Sequence, residues 1–212
     1  PGGRAAMMGG AYTALSDDAS GAYYNPAGLT FSQEDGINLS TTLYRESNLI
    51  FKETINEEPF DQQSHTIIPG FIGGTKKAGD FAFGYSFITL DASNVYQQNT
   101  FENISTQDNV AKTFSRTHQE SSNYVLAGGS WSYKINSNYS IGHSIYNYQR
   151  QTKSSTYQIA TFNGGGTSSI FDTFETLNTG ITHISGIMAR SGIFSIGASA
   201  KKSYILDNNS SR

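Results

Sequence analysis

Apolar and polar residues alternate at every second position over much of the chain, which is the pattern of β-strands with two different faces. The clearest example is 81–87, where aromatic residues occupy the odd positions and Ala, Gly and Ser the even ones. Segments 125–135 and 194–201 alternate in the same way. Four further strands are predicted from weaker alternation, at 36–51, 65–75, 139–152 and 180–190. Pro69 favours an edge strand or a bulge in the second of these.

Short and long connections between the seven predicted strands alternate strictly. The short ones are 76–80, 136–138 and 191–192, and the long ones are 52–64, 92–118 and 153–179. All short turns then lie at one end of the sheet, as in outer-membrane barrels. A soluble β-sandwich shares the period of two and stays the alternative. The predicted strands exceed the usual length of about 5–6 residues, which favours the barrel.

The alternation also predicts which side chains face which surroundings. In a barrel the aromatic positions face lipid and the small polar positions face the lumen. We expect the lipid side to include Phe83, Tyr85, Trp131 and Ile196. We expect the lumen side to include Ser130, Ser132, Ser195 and Ser199.

The first 35 residues have no strand periodicity. Residues 4–15 are rich in Ala and Met and predict a short helix, which Gly9 and Gly10 weaken. Asn25-Pro26 predicts a turn, because proline fixes its own φ and keeps the preceding residue out of the helical region.

Composition excludes several classes of protein. Only 36% of the 212 residues are apolar and 15% charged, both low for a soluble domain. The absence of cysteine excludes disulfides, thiolate metal sites and cysteine nucleophiles. A net charge of −3 with scattered basic residues gives no footprint for nucleic acid. There is no run of 18 apolar residues, which excludes a membrane-spanning helix but not a membrane-spanning barrel.

The sequence holds little that indicates catalysis. Its histidines, His65, His118, His143 and His183, lack metal-ligand spacing, and no nucleophile or nucleotide-binding motif is present. We expect each histidine in a polar lumen or a loop. We therefore predict that the protein is not an enzyme and that it binds no metal or cofactor.

Three motifs follow one another near the N-terminus: Gly9-Gly10-Ala11, Asp17-Asp18-Ala19-Ser20 and Asn25-Pro26-Ala27-Gly28. In this order they resemble the amino-terminal segment of the FadL-type outer-membrane transporters, over residues 2–29. The resemblance implies an all-β fold, a transmembrane antiparallel β-barrel of 14 strands with a partly helical plug in its lumen. Residues 1–33 are then the plug, and 34–212 the first half of the barrel with about seven strands.

The resemblance also implies a function. Such proteins carry hydrophobic compounds, typically long-chain fatty acids or hydrocarbons, passively across the bacterial outer membrane, while some relatives serve as scaffolds for secretion machinery. We expect an exported protein whose signal peptide is removed or not included. Its partners are then membrane lipids and a hydrophobic ligand or detergent, or an envelope protein for the scaffold alternative. A continuous apolar lining of the lumen favours transport, and a polar lumen favours the scaffold.

Five residues are candidates for shaping or gating the plug: Asp17, Asp18, Asn25, Pro26 and Ala27. Two carboxylates are too few to bind calcium. We therefore expect Asp17 and Asp18 to pair with Arg or Lys of the barrel wall rather than to bind a cation. Asn25-Pro26-Ala27 is either a rigid turn or a movable gate.

Residues 168–177, in the third long connection, predict a short amphipathic helix. Its apolar face consists of Ile170, Phe171, Phe174 and Leu177. This helix either packs over the barrel mouth or offers an apolar groove to a hydrophobic ligand. The resemblance favours the groove, because fatty-acid carriers of this type are expected to collect substrate on their external loops.

Overall fold

The computed structural model describes residues 2–32, 35–40, 44–55, 58–67, 70–105 and 110–212, and these form one antiparallel sheet with a short N-terminal segment packed on it. The helical elements are α1 (Gly3–Met7), α2 (Gly21–Tyr24) and a 3₁₀ helix (Pro26–Phe31). The strands are β1 (Gly36–Ser40), β2 (Tyr44–Ile55), β3 (Glu58–Ile67), β4 (Phe71–Ala78), β5 (Phe81–Ser105), β6 (Val110–Lys134), β7 (Tyr139–Phe162), β8 (Thr167–Ser191) and β9 (Phe194–Ser211). The predicted all-β class is confirmed. None of the helices among the described residues is long and apolar enough to cross a membrane.

The sheet follows the order β1-β4-β5-β6-β7-β8-β9, while β2 pairs with β3 and β3 pairs with β5. It is open, because its path begins at β1 and ends at β9 without closing on itself. From β5 onwards each strand pairs with the next one along the chain, so the long strands form a continuous antiparallel meander.

The prediction of seven strands is wrong at the N-terminal edge of the sheet. The strand predicted at 36–51 corresponds to β1 and most of β2, and the one at 65–75 to the end of β3 and part of β4. These pieces have different partners, since β1 pairs with β4 and β2 with β3. Residues 41–43, 68 and 69, and with them the expected edge or bulge at Pro69, lie outside the described residues.

The predicted long loops are also largely wrong, because the strands continue through them. β7 runs on to Phe162 and β8 begins at Thr167, so that only 163–166 form a turn. In the same way β5 reaches Ser105 and β6 starts at Val110. Ser, Thr and Gln suit a ladder whose two faces are both polar, and cross-strand pairs stabilise it. One of them is the ion pair between Lys153 Nζ and Glu175 Oε1, at 3.0 Å.

The predicted tight turns are confirmed at the opposite end of the sheet. Residues 79–80 and 192–193 connect their strands, and Gly79 and Gly192 have φ values of 62° and 56°. Positive φ at the first central residue is what a two-residue hairpin turn requires. We name this end of the sheet, together with turn 135–138, the turn end, and the opposite one the extended end.

The two faces of the sheet differ as the alternation predicted. We name the face that carries residues 2–32, the N-terminal segment, the inner face, and the other the outer face. Phe83, Tyr85, Trp131 and Ile196 are exposed on the outer face, with Tyr85 at 59%. Of the serines, Ser130 and Ser132 are buried on the inner face, Ser195 Oγ donates a hydrogen bond to Ala14 O, and Ser199 is exposed at a position paired with inner-face Gly186.

The helix predicted at 4–15 is shorter than expected. α1 ends at Met7, and Gly9 and Gly10 follow with φ values of 62° and 86°. These left-handed conformations cannot continue a right-handed helix, which explains why the chain turns there.

We expect the β7–β8 extension to behave as a ladder in solution. In hydrogen exchange followed by mass spectrometry, amides of 153–162 and 167–179 should exchange at least about 100-fold more slowly than unstructured amides. Turn residues 163–166 of the same hairpin are the internal control and should exchange fast. Fast exchange over 168–177 would contradict the strand described here.

Candidate functional site

The N-terminal segment folds tightly around Ser16. The Ser16 Oγ donates a hydrogen bond to Tyr12 O at 2.8 Å. Gly21 and Gly28 pack so closely that a Cβ on either would lie 2.2 Å from Ser16 O. Glycine is therefore required at both positions for the segment to close on itself.

Asn25 joins this segment to the sheet and is fully buried. Its Nδ2 donates hydrogen bonds to Thr13 O at 2.9 Å and to Ile187 O of β8 at 3.0 Å. Its Oδ1 accepts from Ala27 N at 3.2 Å and so caps the 3₁₀ helix, in which Pro26 is the first residue. One side chain thus holds the turn in shape and attaches it to β8. We name strands β7 to β9, against which the segment packs, the wall.

Serines of the wall hydrogen-bond to the segment's carbonyl groups. Ser140 Oγ donates to Ala27 O at 2.7 Å and Ser144 Oγ to Ala22 O at 2.6 Å, both from β7. From β9, Ser195 Oγ donates to Ala14 O. These bonds give buried backbone carbonyl groups of the segment a partner on the sheet.

Glycines let the segment approach the wall at backbone distance. A Cβ on Gly186 of β8 would lie 1.9 Å from Asn25 Oδ1, and one on Gly142 of β7 would lie 2.5 Å from Ala27 N. A Cβ on Gly197 of β9 would lie 2.5 Å from Thr13 O. We name Gly142, Gly186 and Gly197 the glycine cradle.

Asp17 forms the charged contact between segment and wall. Arg4 Nη1 lies 2.7 Å from Asp17 Oδ1, and Arg190 Nη1 of β8 lies 3.4 Å from Oδ2, while the Asp17 side chain is only 8% exposed. Tyr12 Oη donates to Oδ1 at 3.3 Å. Burial, and after it the charges of Asp18 and Asp17, raise the pKa of Tyr12 well above its ordinary value, so the phenol stays neutral.

Asp18 has a different role from its neighbour. Its Oδ1 accepts hydrogen bonds from Ser20 N at 2.9 Å and from Ser20 Oγ at 2.6 Å, within the segment. Arg4 Nη1 lies 3.9 Å from Oδ2. The contact of a wall arginine is therefore made with Asp17, while Asp18 shapes the turn before α2.

A polar cavity of about 440 Å³ separates the segment from the first strands of the sheet. It is lined by Arg4, Asp17, Asp18, Ser32, Asn38 of β1 and Thr75 of β4, among others. The hydrogen bonds of the cradle and the wall serines hold the opposite side of the segment, against β7 to β9. On the side of β4, Lys77 Nζ donates a hydrogen bond to Ser32 O, so the cavity lies between contacts on both sides of the segment.

Apolar side chains cover the inner face beside the segment, towards the extended end. We name this cluster the apolar shelf: Phe71, Ile88, Leu126, Tyr146, Tyr148 and Ile184, with Leu90 and Tyr124 against it. Ala19 and Tyr23 of the segment complete it. Lys201 Nζ donates to Tyr23 Oη at 3.0 Å and so fixes this ring to β9.

Further towards the extended end the inner face becomes polar and then aromatic. Ser122 Oγ donates to Asp91 Oδ2 at 2.8 Å, and the Arg150 guanidinium lies 6.0 Å from the Tyr124 ring centre. His118 Nδ1 lies 2.8 Å from Thr156 Oγ1. Beyond them, the Phe101 and Phe114 rings stack with centres 6.4 Å apart. The apolar lining expected for transport is therefore interrupted.

The amphipathic helix predicted at 168–177 is wrong, because these residues belong to β8. Pairing with β7 puts Ile170 and Phe174 on the inner face, opposite Gln158 and Ser154. Phe171 and Leu177 pair with Tyr157 and Gln151 and lie on the outer face. The ladder with β7 outweighs the local helical spacing, since Ile, Thr and Phe fit a strand well. The four residues do not form a common apolar surface.

The expectation for histidines is wrong for two of them. His143 and His183 lie on the outer face, since the buried, segment-facing positions of β7 and β8 are the even ones. His118 lies on the inner face of β6, beside Thr156. Within the described part of the chain, no three acidic or histidine side chains come together as a metal site.

The sequence analysis placed Ser195 on the inner side but did not single out Ser140, Ser144 or the cradle glycines as contacts of the segment. Their signal is the run of small residues at alternate positions of β7 to β9, which indicates an inner face without naming what approaches it.

We expect Gly186→Ala to destabilise the fold by about 1–3 kcal/mol, since the added methyl group must displace Asn25. Thermal and urea unfolding of the reconstituted protein measure this. The matched control is Gly129→Ala, on the outer face of β6, where the nearest atom to a Cβ is 3.7 Å away. Equal effects of the two substitutions would contradict the role of the cradle.

Comparison of the chain with protein-family models, with curated proteins and with solved structures finds no match. The similarity of residues 2–29 to FadL-type transporters stays a prediction that rests on their own motifs.

Proposed function

We propose that the outer face of β5 to β9 contacts lipid in a bacterial outer membrane and that the sheet is part of a β-barrel whose lumen holds the N-terminal segment as a plug. One observation carries this proposal, an apolar belt on the outer face that we name the outer band. Its members are Phe81, Phe83, Tyr85, Phe87, Val125, Ala127, Trp131, Tyr133, Tyr139, Ile141, Ile145, Ile181, Ile187, Ala189, Phe194, Ile196, Ala198 and Ala200.

The outer band has the height of a membrane strand. On β6 its outer-face residues run from Tyr133 to Val125, and Asn123 begins the polar part. These nine positions match the about 9–11 residues that a tilted strand needs to cross a bilayer. Serine, threonine and glutamine follow on this face towards the extended end, as for strands that continue into water.

The border of the band does not follow one straight line across the strands. The row of paired residues that contains Phe87, the last band member on β5, also contains Ile181, the last band member on β8. On β9 this row reaches Tyr204, whereas the last apolar band member there is Ala200.

A sheet in hydrocarbon has to close, because unpaired backbone groups at an edge are costly there. The proposal therefore requires further strands beside β1 and β9. The resemblance implies 14 strands in total. The inner face fits a lumen, since it binds the segment through hydrogen bonds and an ion pair to serines and an arginine of the sheet in addition to apolar contacts.

We propose passive uptake of hydrophobic small molecules, such as long-chain fatty acids or hydrocarbons, as the activity. The rim of the apolar shelf supports it, because Leu90 and Tyr124 are only half-buried there and each buried methylene group of a ligand contributes about 0.8 kcal/mol. This rim lies beside Tyr23 of the N-terminal segment, so a ligand that reaches it meets the proposed plug. No step of this passage requires catalysis or a cofactor.

A scaffold for other envelope proteins is the second candidate. It is favoured by the polar and charged stretch between the shelf and the extended end, with Asp91, Glu120 and Arg150 on the inner face. A hydrophobic ligand has to cross this stretch to reach the shelf.

Arginine scanning of the outer face tests the membrane assignment. In vesicles, Ala127→Arg should lower the free energy of unfolding by about 2–4 kcal/mol and Asn123→Arg by about 0–1 kcal/mol. Both residues lie on the outer face of β6, inside and outside the band. Folding titrations with urea measure the difference. Equal small costs at both sites indicate a water-exposed sheet and reject the proposal.

Two phenylalanines of β8 provide a matched test of ligand capture. Phe174 lies on the inner face and Phe171 on the outer face. If ligand enters along the inner face, Phe174→Asp should lower uptake of a labelled fatty acid by about fivefold, because half-buried aromatic contact is lost. Phe171→Asp should leave uptake unchanged. Heat modifiability on gels confirms assembly of both variants.

Two other results would decide against this activity. Equal uptake by both phenylalanine variants removes this part of β8 from the mechanism. No uptake by the assembled wild type, over a panel of fatty acids and hydrocarbons, favours the scaffold.

A further inference from the structure

One group of polar side chains interrupts the outer band. His143 Nδ1 lies 2.9 Å from Ser185 Oγ, and His143 Nε2 lies 3.2 Å from His183 Nδ1. His183 pairs across the ladder with Lys202, whose ammonium lies 4.9 Å from the Tyr204 ring centre. We name His143, His183, Ser185, Lys202 and Tyr204 the histidine cluster. It spans β7, β8 and β9.

The cluster lies where the band ends on β9. Lys202 is the first polar residue of the outer face after Ala200, towards the extended end. The His183 and Tyr204 rings meet edge to face, with centres 5.9 Å apart. Tyrosine and lysine at such a border are typical of the level of lipid headgroups, where an apolar body and a polar tip are both accommodated.

The charge of the cluster is unbalanced on this face. Among the described outer-face residues of β6 to β9, the nearest carboxylates in the sequence are Glu175 and Asp207. Glu175 pairs with Lys153, and Asp207 is opposite Thr179, nearer to the extended end. The Lys202 ammonium thus provides positive charge, and the imidazoles and a hydroxyl group provide hydrogen-bond donors, without a neighbouring acceptor of opposite charge.

Polar and cationic groups on a lipid-facing surface cost free energy unless they bind something. An anion with several acceptor oxygens at headgroup level meets this need. We propose that the histidine cluster binds the phosphate headgroup of an anionic membrane lipid in the leaflet at the extended end. This inference rests on the membrane assignment above and adds a specific lipid site to it.

The geometry gives each residue a part in this site. Lys202 supplies the charge, and the Tyr204 ring fixes its position through a cation–π contact. Ser185 and His143 orient His183 through the hydrogen-bond chain, which uses Nδ1 of His183 and leaves its Nε2 outside that contact. The lipid chains then extend along the outer band towards the turn end.

Trp131 is a built-in reporter for this lipid. It is the only tryptophan of the 212 residues, is 41% exposed on the outer face, and pairs with His143. The protein is reconstituted in vesicles that mix phosphatidylcholine with phosphatidylglycerol, and one lipid at a time carries brominated acyl chains. Quenching of Trp131 then measures which lipid lies beside the cluster.

We expect phosphatidylglycerol to be preferred by about fivefold, the scale of one lysine at an anionic surface. The double variant Lys202→Gln with His183→Gln should lose this preference. Trp131→Phe gives the background signal.

The matched control is Lys153→Gln, which removes a lysine from the same face outside the band. It should leave the lipid preference unchanged. Equal quenching by both brominated lipids in the wild type, or an unchanged preference in the double variant, overturns the lipid site and leaves the membrane assignment standing. No quenching by either lipid in a folded protein overturns the membrane assignment itself.

Discussion

The close approach of Asn25 to β8 decides how the whole sheet is oriented. Asn25 Nδ2 binds a backbone carbonyl of the wall, and this is compatible only with glycine at position 186. Side chains alternate along a strand, and neighbouring strands are held in register by their hydrogen bonds. Because Gly186 faces inward, alternate residues of β8 face inward and outward in a fixed order, and the ladder passes this order on to β7, β6 and β5 and to β9.

A consequence is that serine and glycine face the N-terminal segment near the turn end, while large apolar side chains on the opposite face of the same strands are exposed, which is unusual for a water-soluble domain. The covered side needs partners for backbone carbonyls of short helices, and serine hydroxyls supply them with little bulk. The exposed side carries rings such as those of Phe83 and Trp131. An apolar solvent is the simplest surroundings in which both choices are favourable, and this connects the plug contacts to the membrane proposal.

The alternation of Phe81 to Phe87 and the glycines of the tight turns made the β-class, the two faces and the turn end predictable. The ends of the strands were not predictable. Serine and threonine in 153–162 are compatible with a loop and with a strand, and it is the pairing with β8 that makes this segment a strand. The helix expected at 168–177 failed for the same reason. The wall contacts of Asn25 and Asp17 join residues more than 160 positions apart, which no local pattern encodes.

On β5 and β6 the outer face changes from apolar to polar at the residues next to which the inner face carries the apolar shelf. Ile88 and Leu126 of the shelf lie beside Phe87 and Val125, the last band residues on their strands. The N-terminal segment thus covers the inner face behind the outer band, and under the membrane proposal the edge of the shelf at Ile88 and Leu126 reaches the level of the headgroups. A hydrophobic molecule that follows the inner face would reach the shelf after crossing the polar stretch above, without having to pass between the headgroups. The histidine cluster, on the opposite face of the same strands, would meanwhile hold those headgroups in place.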